Sequence, residues 1–240
     1  MNLIMVAHGT RRPEGVAMIG DLAEQVGVLL GHGVQAAFVD VLGPTPSEVL
    51  SCAAATDRPA VVVPAFLSRG YHVRADLPAH IEASGHPDLT VTAALGPSIH
   101  VVRIVAQQLS KSGWNPADSV ILAAAGTSDP AARADLRTTA RMLSALTGSR
   151  VELAFAATGE PSVPTAVAKA RSRSQSRVAV ASYLLADGLF QERLESCGAD
   201  MVSEPLGTHP GMGRLIAGRF VGALRRYRPT CTIPSTSRVG

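Results

Sequence analysis

The sequence has little of several features that mark common protein classes. Its three cysteines, Cys52, Cys197 and Cys231, stand far apart in 240 residues, which argues against a disulfide framework and against a CxxC metal site. Aromatic residues make up 4% of the chain and are not interleaved with the scattered arginines. Because the net charge is also only +3, nucleic acid is not an expected partner, and a small acidic ligand suits the charge better.

Long apolar runs are absent as well. None reaches the roughly 18 residues that a membrane-spanning helix needs, and residues 1–30 hold no basic leader followed by an apolar segment and a cleavage site. We therefore expect a soluble, cytoplasmic protein without a membrane partner. A length of 240 residues suits one large domain or two small ones.

What the sequence does contain is a regular alternation of short apolar segments and amphipathic segments. In the first half the predicted strands are 2–7, 34–40, 59–67 and 89–95, and the predicted helices are 14–30, 47–55, 72–83 and 99–109. Pro78 conflicts with a regular α-helix in the third of these helical segments. The alternation predicts an α/β fold in which a mainly parallel sheet is flanked by helices.

The pattern of the first half recurs in the second half. At an offset of 117, LIMVAHGTRRP (3–13) aligns with VILAAAGTSDP (120–130). At an offset of 118, VVVPAFLSRGYH (61–72) aligns with AVASYLLADGLF (179–190). The repeat predicts two homologous domains that follow one another in a single chain.

Domain boundaries follow from this repeat. Residues 112–118 (SGWNPAD) are predicted to be a linker, which gives an N-terminal domain 1–113 and a degenerate C-terminal repeat 114–227. Such a chain is an internal pseudo-dimer, and we expect it to be a monomer. The tail 228–240 is rich in Pro, Ser and Thr and is expected to be disordered.

The two halves share the glycines and prolines of their loops but differ in their reactive side chains. Three metal-capable residues of the first half have inert counterparts in the second: His8 aligns with Ala125, Asp40 with Ala157 and His72 with Phe190. All three follow predicted strands, at the edge where open parallel sheets bind ligands. Two imidazoles and a carboxylate with open positions suit a divalent first-row cation such as Fe²⁺, Co²⁺ or Ni²⁺.

Each of these residues also has a simpler explanation. A histidine after a strand is commonly a hydrogen-bonded loop residue, and Asp40 is placed to cap the helix after the GPTP turn. Asp76, one helical turn after His72, suits a partner that orients its imidazole, and a surface salt bridge to Arg74 is the alternative. His209, in the loop GTHPG, is best explained as a loop cap.

Basic residues surround the histidines in the first half. They are Arg11, Arg12, Arg69 and Arg74, whose planar guanidinium groups suit bidentate pairing with carboxylates or phosphates. Gly9 and Thr10 precede a predicted helix start, where free backbone N–H groups attract anions. We take these residues as candidates for substrate binding, and a solvated basic rim is the alternative.

At this point three motifs resemble a known family. VAHGT (6–10), FVD..GPTP (38–46) and PAFLSRGYHVRADLP (64–78) are similar to the class II chelatases of the CbiX/SirB type, which are sirohydrochlorin cobaltochelatases and ferrochelatases. The resemblance covers residues 1–225 in a long, two-half form. It implies a pair of chelatase-like domains that face each other across a cleft. It also implies metal binding by His8 and His72, with an acidic residue, usually Glu, at the position of Asp40.

The reaction implied by this resemblance is metal insertion, with the divalent metal as a substrate and no tightly bound cofactor. Two pyrrole protons leave as Fe²⁺ or Co²⁺ enters sirohydrochlorin, and a neutral histidine, with an ordinary pKa near 6.5, binds metal and accepts a proton. Arginines suit the eight carboxylates of the substrate. We further expect Phe190, from the inert half, to stack on the macrocycle. Iron is preferred over cobalt by a narrow margin, for sirohaem rather than cobalamin synthesis.

Two other function classes fit the same residues. One is a phosphoryl-transfer enzyme with His8 as the phosphate-accepting nucleophile, which would need several arginines but not Asp40. The other is a non-catalytic carrier of metal or tetrapyrrole. Resistance of turnover to metal removal would favour the first, and absence of repeated metal insertion would favour the second.

Overall fold

The computed structural model describes residues 1–41 and 43–227, so the disorder predicted for residues 228–240 lies outside the described residues. Within these ranges the strands are β1 (Asn2–Ala7), β2 (Val34–Phe38), β3 (Ala60–Pro64), β4 (Leu89–Val91), β5 (Ser119–Ala124), β6 (Val151–Phe155), β7 (Val178–Tyr183) and β8 (Met201–Val202). The α-helices are α1 (Pro13–Leu30), α2 (Pro46–Ala54), α3 (Leu77–Ser84), α4 (Ile99–Lys111), α5 (Pro130–Thr147), α6 (Val163–Arg173), α7 (Leu189–Glu195) and α8 (Pro210–Arg226). None of these helices is long and apolar enough to cross a bilayer.

Each half of the described chain builds its own four-stranded parallel sheet. The strand order is β2-β1-β3-β4 in the first half and β6-β5-β7-β8 in the second. The central strands are nearly continuous apolar segments with buried side chains, as expected for strands covered on both faces. The predicted α/β fold, with a parallel sheet in each of two homologous halves, is confirmed.

The outer face of each sheet is covered by helices of its own half. In the first half α2 and α3 pack on residues of β1 and β3, in a cluster that includes Ile4, Val62, Leu50 and Leu77. In the second half α6 and α7 pack on β5 and β7, in a cluster that includes Ile121, Val180, Val167 and Leu194. These clusters close the two outer sides of the molecule.

The inner faces of the two sheets share one core. In this core, the last helix of each half packs against elements of the other half. Helix α8, from the second half, packs against α1 and β3, whereas α4, from the first half, packs against α5 and β7. Polar contacts accompany the exchange: Arg219 Nη2 donates to the carbonyl of Ala94 at 3.1 Å, and Gln108 Nε2 donates to that of Pro205 at 3.0 Å. The last helix of each half therefore completes the inner layer of the other.

Several strands are shorter than predicted. Strand β2 ends at Phe38, β3 at Pro64 and β4 at Val91. Pro64 has no N–H group to donate to a sheet ladder, and β3 ends there, although the N–H of Ala65 still donates to the carbonyl of Val6 at 2.7 Å. The backbone N–H of Leu95 then donates to the carbonyl of Phe66 at 2.9 Å. The carboxyl edge of the first sheet is consequently built of loops, and these loops carry the candidate site.

The helix predicted for residues 72–83 is present, but it begins with a π-helical turn, His72–Asp76. The N–H of Leu77 donates to the carbonyl of His72, five residues earlier. In a regular α-helix the ring of Pro78 would collide with the carbonyl four residues before it, so the wider turn accommodates the proline that the sequence flags. This turn places His72 at the carboxyl edge of the sheet.

Candidate functional site

Two histidines that are distant in the sequence meet at the carboxyl edge of the first sheet. His8 follows β1 directly, and His72 is the first residue of the π-helical turn after β3. Their ring centroids lie 4.4 Å apart, with an angle of 85° between the ring planes. The Phe66 ring is stacked on His72 at 6.3 Å, with the planes 15° apart. The pair therefore lies where the strand ends predicted it, with an aromatic ring on one side.

Hydrogen bonds fix which nitrogen of each imidazole is available. His72 Nδ1 lies 2.5 Å from Asp76 Oδ2, and because a carboxylate only accepts, Nδ1 carries the proton. His8 Nδ1 lies 3.1 Å from the carbonyl oxygen of Gly9, which is also only an acceptor. Both rings are thus held as the tautomer that leaves the Nε2 lone pair free, the usual arrangement of a metal-binding histidine with an oxygen partner behind it.

Asp40 lies beside His8 in the backbone but does not join the imidazole pair. Its N–H donates to the carbonyl of His8 at 3.1 Å, while its Oδ1 accepts from the N–H of Val41 at 2.7 Å. Among residues 1–41 and 43–227, no three His, Cys, Asp or Glu side chains form a group that could hold a metal ion. The alternative explanation of Asp40 as the cap of α2 is wrong, because Thr45 caps that helix in a capping box with Glu48.

The loop after His8 is shaped by its glycine and threonine. Gly9 has a φ angle of +95°, and a Cβ atom there would overlap the carbonyl oxygen of Asp40. Thr10 Oγ1 accepts from the N–H of Arg12 at 3.2 Å. These contacts explain both residues as loop-forming, so their assignment to substrate binding stays a prediction.

The basic residues around the histidines mostly pair with carboxylates of the second half. In the described part of the chain three ion pairs of this kind join the halves: Arg12 with Glu192 at 2.9 Å, Arg69 with Asp135 at 2.6 Å and Arg74 with Asp129 at 3.3 Å. Arg11 makes no hydrogen bond or ion pair within the described residues and is exposed. Substrate binding by these four arginines stays a prediction, and Arg11 is the one whose guanidinium is uncommitted in the described structure.

The second half approaches the site through the loop before α7. A Cβ atom at Gly188 would lie 3.7 Å from Thr10 Oγ1 and 3.8 Å from Arg12 Cγ, so this loop lies against the one that follows His8. Phe190, the counterpart of His72, is 38% exposed, with the guanidinium of Arg193 at 5.8 Å from its ring centroid. Phe190 therefore has an accessible ring two residues after the glycine that approaches the first half.

Two residues at this meeting point were not predicted from the sequence. Asp135 on α5 binds Arg69, and Tyr183 at the end of β7 donates to the carbonyl of Leu67 at 2.9 Å. A signal for Asp135 does exist, since it is an acidic residue on the apolar stripe of its helix, beside Ala132 and Leu136. Its partner is a loop of the other half, which helical periodicity cannot reveal.

Electrostatics keeps both of these groups in the form that their hydrogen bonds require. Burial raises the pKa of Asp135, but the hydrogen bonds and the charge of Arg69 together outweigh burial, so the pKa lies below its ordinary value. Burial raises the pKa of Tyr183 far above its ordinary value. At neutral pH Asp135 is therefore an ionised acceptor and Tyr183 a protonated donor.

Two homologous parallel-sheet halves with a histidine pair on one of them define a class of two-lobed α/β protein, and sequence comparison gives the family. The chain matches the family model described as CbiX twice, over residues 2–112 and 119–223. The chain belongs to the CbiX family, with one copy of the family's unit in each half.

Two curated relatives are similar to this chain in sequence, and a solved structure is similar to it in fold. A sirohydrochlorin cobaltochelatase of Priestia megaterium is 26% identical over 91% of this chain and 74% of its own length. A sirohydrochlorin ferrochelatase of the same organism is 24% identical over 90% of this chain and 87% of its own. The structure of SirB from Bacillus subtilis with Fe³⁺ superposes with a TM-score of 0.79 at 19% identity, covering 92% of this chain and 95% of that one.

Proposed function

We propose that this protein is a sirohydrochlorin chelatase that inserts a divalent metal, Fe²⁺ or Co²⁺, into the macrocycle. The observation that carries the proposal is the histidine pair, with ring centroids 4.4 Å apart and both Nδ1 atoms bound to oxygen. Two free Nε2 lone pairs at one edge suit a borderline first-row cation. The names of the curated relatives supply the substrate class.

A site with two protein ligands suits a metal that must leave again. A closed structural site holds its ion with four protein ligands, whereas His8 and His72 leave most coordination positions to water and to the incoming pyrrole nitrogens. The side chain of His72 is 32% exposed, so a macrocycle can approach it. Asp40 remains a candidate third ligand: its Oδ1 accepts from the N–H of Val41, and within the described residues no hydrogen bond occupies its Oδ2.

The two histidines are also the expected acceptors of the protons that insertion releases. Entry of M²⁺ releases two pyrrole protons, and a neutral imidazole accepts a proton at Nε2 once that atom no longer binds metal. When His72 takes the proton, Asp76 already accepts from Nδ1 at 2.5 Å, so the charged imidazolium gains an ion-pair partner without movement. This favours His72 as the principal base.

Binding of the macrocycle is expected to use groups from both halves. Phe190 and its exposed neighbour Leu189, 51% accessible, offer an apolar face from the inert half. Arg11 offers a free guanidinium, and the half-exposed pair of Arg12 with Glu192 offers one that a substrate carboxylate can compete for. A monomer that carries the metal on residues 1–113 and the opposing wall on 114–227 fits this arrangement.

The proposal is tested by steady-state insertion into sirohydrochlorin under anaerobic conditions, with Fe²⁺, Co²⁺ and Ni²⁺ compared by the absorbance change of the macrocycle. We expect turnover that is fastest with Fe²⁺, and His8→Ala and His72→Ala should each lose at least about a hundredfold in rate. His100→Ala is the matched control, because His100 is an exposed imidazole on α4. Near wild-type rates in both site variants would overturn the assignment.

The insertion assay, together with a phosphatase assay, separates the other two function classes. A non-catalytic carrier would give at most one equivalent of metallated product per protein molecule. Hydrolysis of a generic phosphate ester that survives a chelator would support phosphoryl transfer instead. The pairing of Arg69 and Arg74 with carboxylates argues against that class, because a phosphate site needs such donors free.

A further inference from the structure

The loop that delivers His72 is anchored to the opposite half of the molecule. Asp135 accepts three hydrogen bonds from Arg69: from the backbone N–H at 2.9 Å, from Nε at 3.0 Å and from Nη2 at 2.6 Å. The carbonyl of Leu67, two residues earlier, accepts from the hydroxyl of Tyr183 at 2.9 Å. Both anchoring side chains are buried, at 4% exposure for Asp135 and 3% for Tyr183. We call these contacts the cross-half clamp.

The clamp acts on the backbone immediately before the histidine. The carbonyl of Gly70, next to Arg69, accepts from the N–H groups of Val73 and Arg74 at 3.1 Å each. These bonds start the helical turn that contains His72. Fixing the N–H of Arg69 therefore fixes the origin of that turn, and with it the place at which the imidazole meets His8.

The internal repeat offers a comparison for the clamp. At the equivalent positions of the inert half, Arg69 aligns with Asp187, Asp135 with Met18 and Tyr183 with Ala65. Met18 and Ala65 have no side-chain oxygen that could accept or donate as Asp135 and Tyr183 do, and Met18 Sδ would instead lie 2.9 Å from a Cβ at Gly207. Within the described residues the Asp187 side chain makes no hydrogen bond, and burial, with the charges of Glu195 and Glu204, raises its pKa. The polar clamp thus holds the loop that leads to a histidine, and its mirror loop, which leads to a phenylalanine, lacks it.

We propose that Asp135 and Tyr183 are positioning residues that hold His72 at metal-sharing distance from His8. The inference rests on the proposed function, and it gives the inert half a second task beside forming a wall. In this arrangement the second half lacks ligands but sets the geometry of the ligands on the first. Neither residue contacts the metal, so each acts through the loop at Leu67 and Arg69.

The test is a titration of the full-length protein with Co²⁺ alone, followed by the visible absorption bands of the bound ion, which report its coordination geometry. Asp135→Asn keeps the size of the side chain but removes the charge that binds Arg69. We expect about a tenfold weaker Co²⁺ affinity and altered band positions. Asp118→Asn is the matched control: Asp118 is 4% exposed, accepts from Nε and Nη2 of Arg177 at 3.1 and 2.9 Å, and lies just before β5, at the other edge of a sheet.

If Asp135 has only a structural role, Asp135→Asn and Asp118→Asn should give equal results. Both would lose the same unfolding free energy, and both would keep the cobalt spectrum of the wild type. That outcome would overturn the inference.

If Asp135→Asn does not fold, Tyr183→Phe removes only the hydroxyl that binds Leu67, and it should still shift the cobalt bands. If His72→Ala binds Co²⁺ like the wild type, the proposed function itself fails. If His72→Ala loses binding while Asp135→Asn and Tyr183→Phe retain it with the native spectrum, only the positioning role fails.

Discussion

At the scale of single residues, the parallel arrangement of β1 and β3 explains why His8 and His72 were predictable as a pair. Each follows a central strand of one sheet, and adjacent parallel strands end at the same edge. Their contact partners were predictable only when local: Asp76 lies one turn from His72 and was expected as its partner, whereas Asp135 was not. The loss of the histidines in the second half remained visible because its loops kept the same glycines.

Gly9 is a residue whose replacement the structure makes costly. Its φ of +95° is strained for other residues, and a Cβ would overlap the carbonyl of Asp40. Gly9→Ala should lower the free energy of unfolding by about 2 kcal/mol or more, because it adds both strain and a backbone clash. The measurement is urea unfolding followed by circular dichroism.

Gly33→Ala is the control for this variant. Gly33 has open space around its Cα, and a Cβ atom added there would meet no heavy atom within 4 Å apart from its chain neighbours. Its replacement should leave the free energy of unfolding nearly unchanged. A loss at Gly9 no larger than the one at Gly33 would contradict the close approach of the two loops.

At the scale of helices and strands, the sequence predicted the order of elements better than their ends. The periodicity of α1 and the apolar run of β1 are local properties, and both elements lie where predicted, to within one residue. The π-helical turn was signalled by Pro78 but not specified by it, since a proline indicates only that a regular turn is unfavourable. His72, one of the two proposed metal ligands, lies in this irregular turn.

Helix α8 begins at a titratable cap, and this gives its stability a pH dependence. His209 Nδ1 accepts from the N–H of Gly211 at 3.0 Å, as expected for a capping residue. Burial, and next the charges of Lys111 and Arg214, lower the pKa of His209. The unfolded chain therefore binds a proton at a higher pH than the folded chain does, so stability is lost as the pH falls below about 6.5.

The substitution His209→Asn tests this assignment, because asparagine caps helices but does not titrate. We expect the variant to keep its stability at pH 8 and to lose less of it than the wild type between pH 7 and pH 5. Thermal unfolding monitored across that range measures the difference. Parallel pH profiles for the two proteins would show that another group controls the acid sensitivity.

At the scale of the whole molecule, the internal repeat predicted a pseudo-dimer and the motifs predicted the family, and both are confirmed. The exchange of α4 and α8 was not predictable, because an amphipathic helix has the same apolar stripe whichever sheet it covers. Ile104 and Val105 on α4, like Ile216 and Phe220 on α8, are buried in the shared core. Sequence pattern gives the buried face of a helix but not its partner.

The exchange predicts how the halves behave when they are separated. A fragment of residues 1–113 keeps α4 but lacks α8, so β3 and α1 lose the apolar surface of Phe220 and its neighbours. We expect this fragment, and equally 114–240, to be associated or unfolded alone, and the two together to form a stable one-to-one complex. Size-exclusion chromatography and circular dichroism would test this, and a monomeric 1–113 that unfolds cooperatively would contradict it.

The position of α8 also bears on how the protein is made. The last strand of the first sheet ends at Val91, but the helix that covers the inner side of this sheet begins only at Pro210. The nascent first half therefore carries an uncovered apolar surface until α8 has been synthesised, a state that attracts chaperones and aggregation.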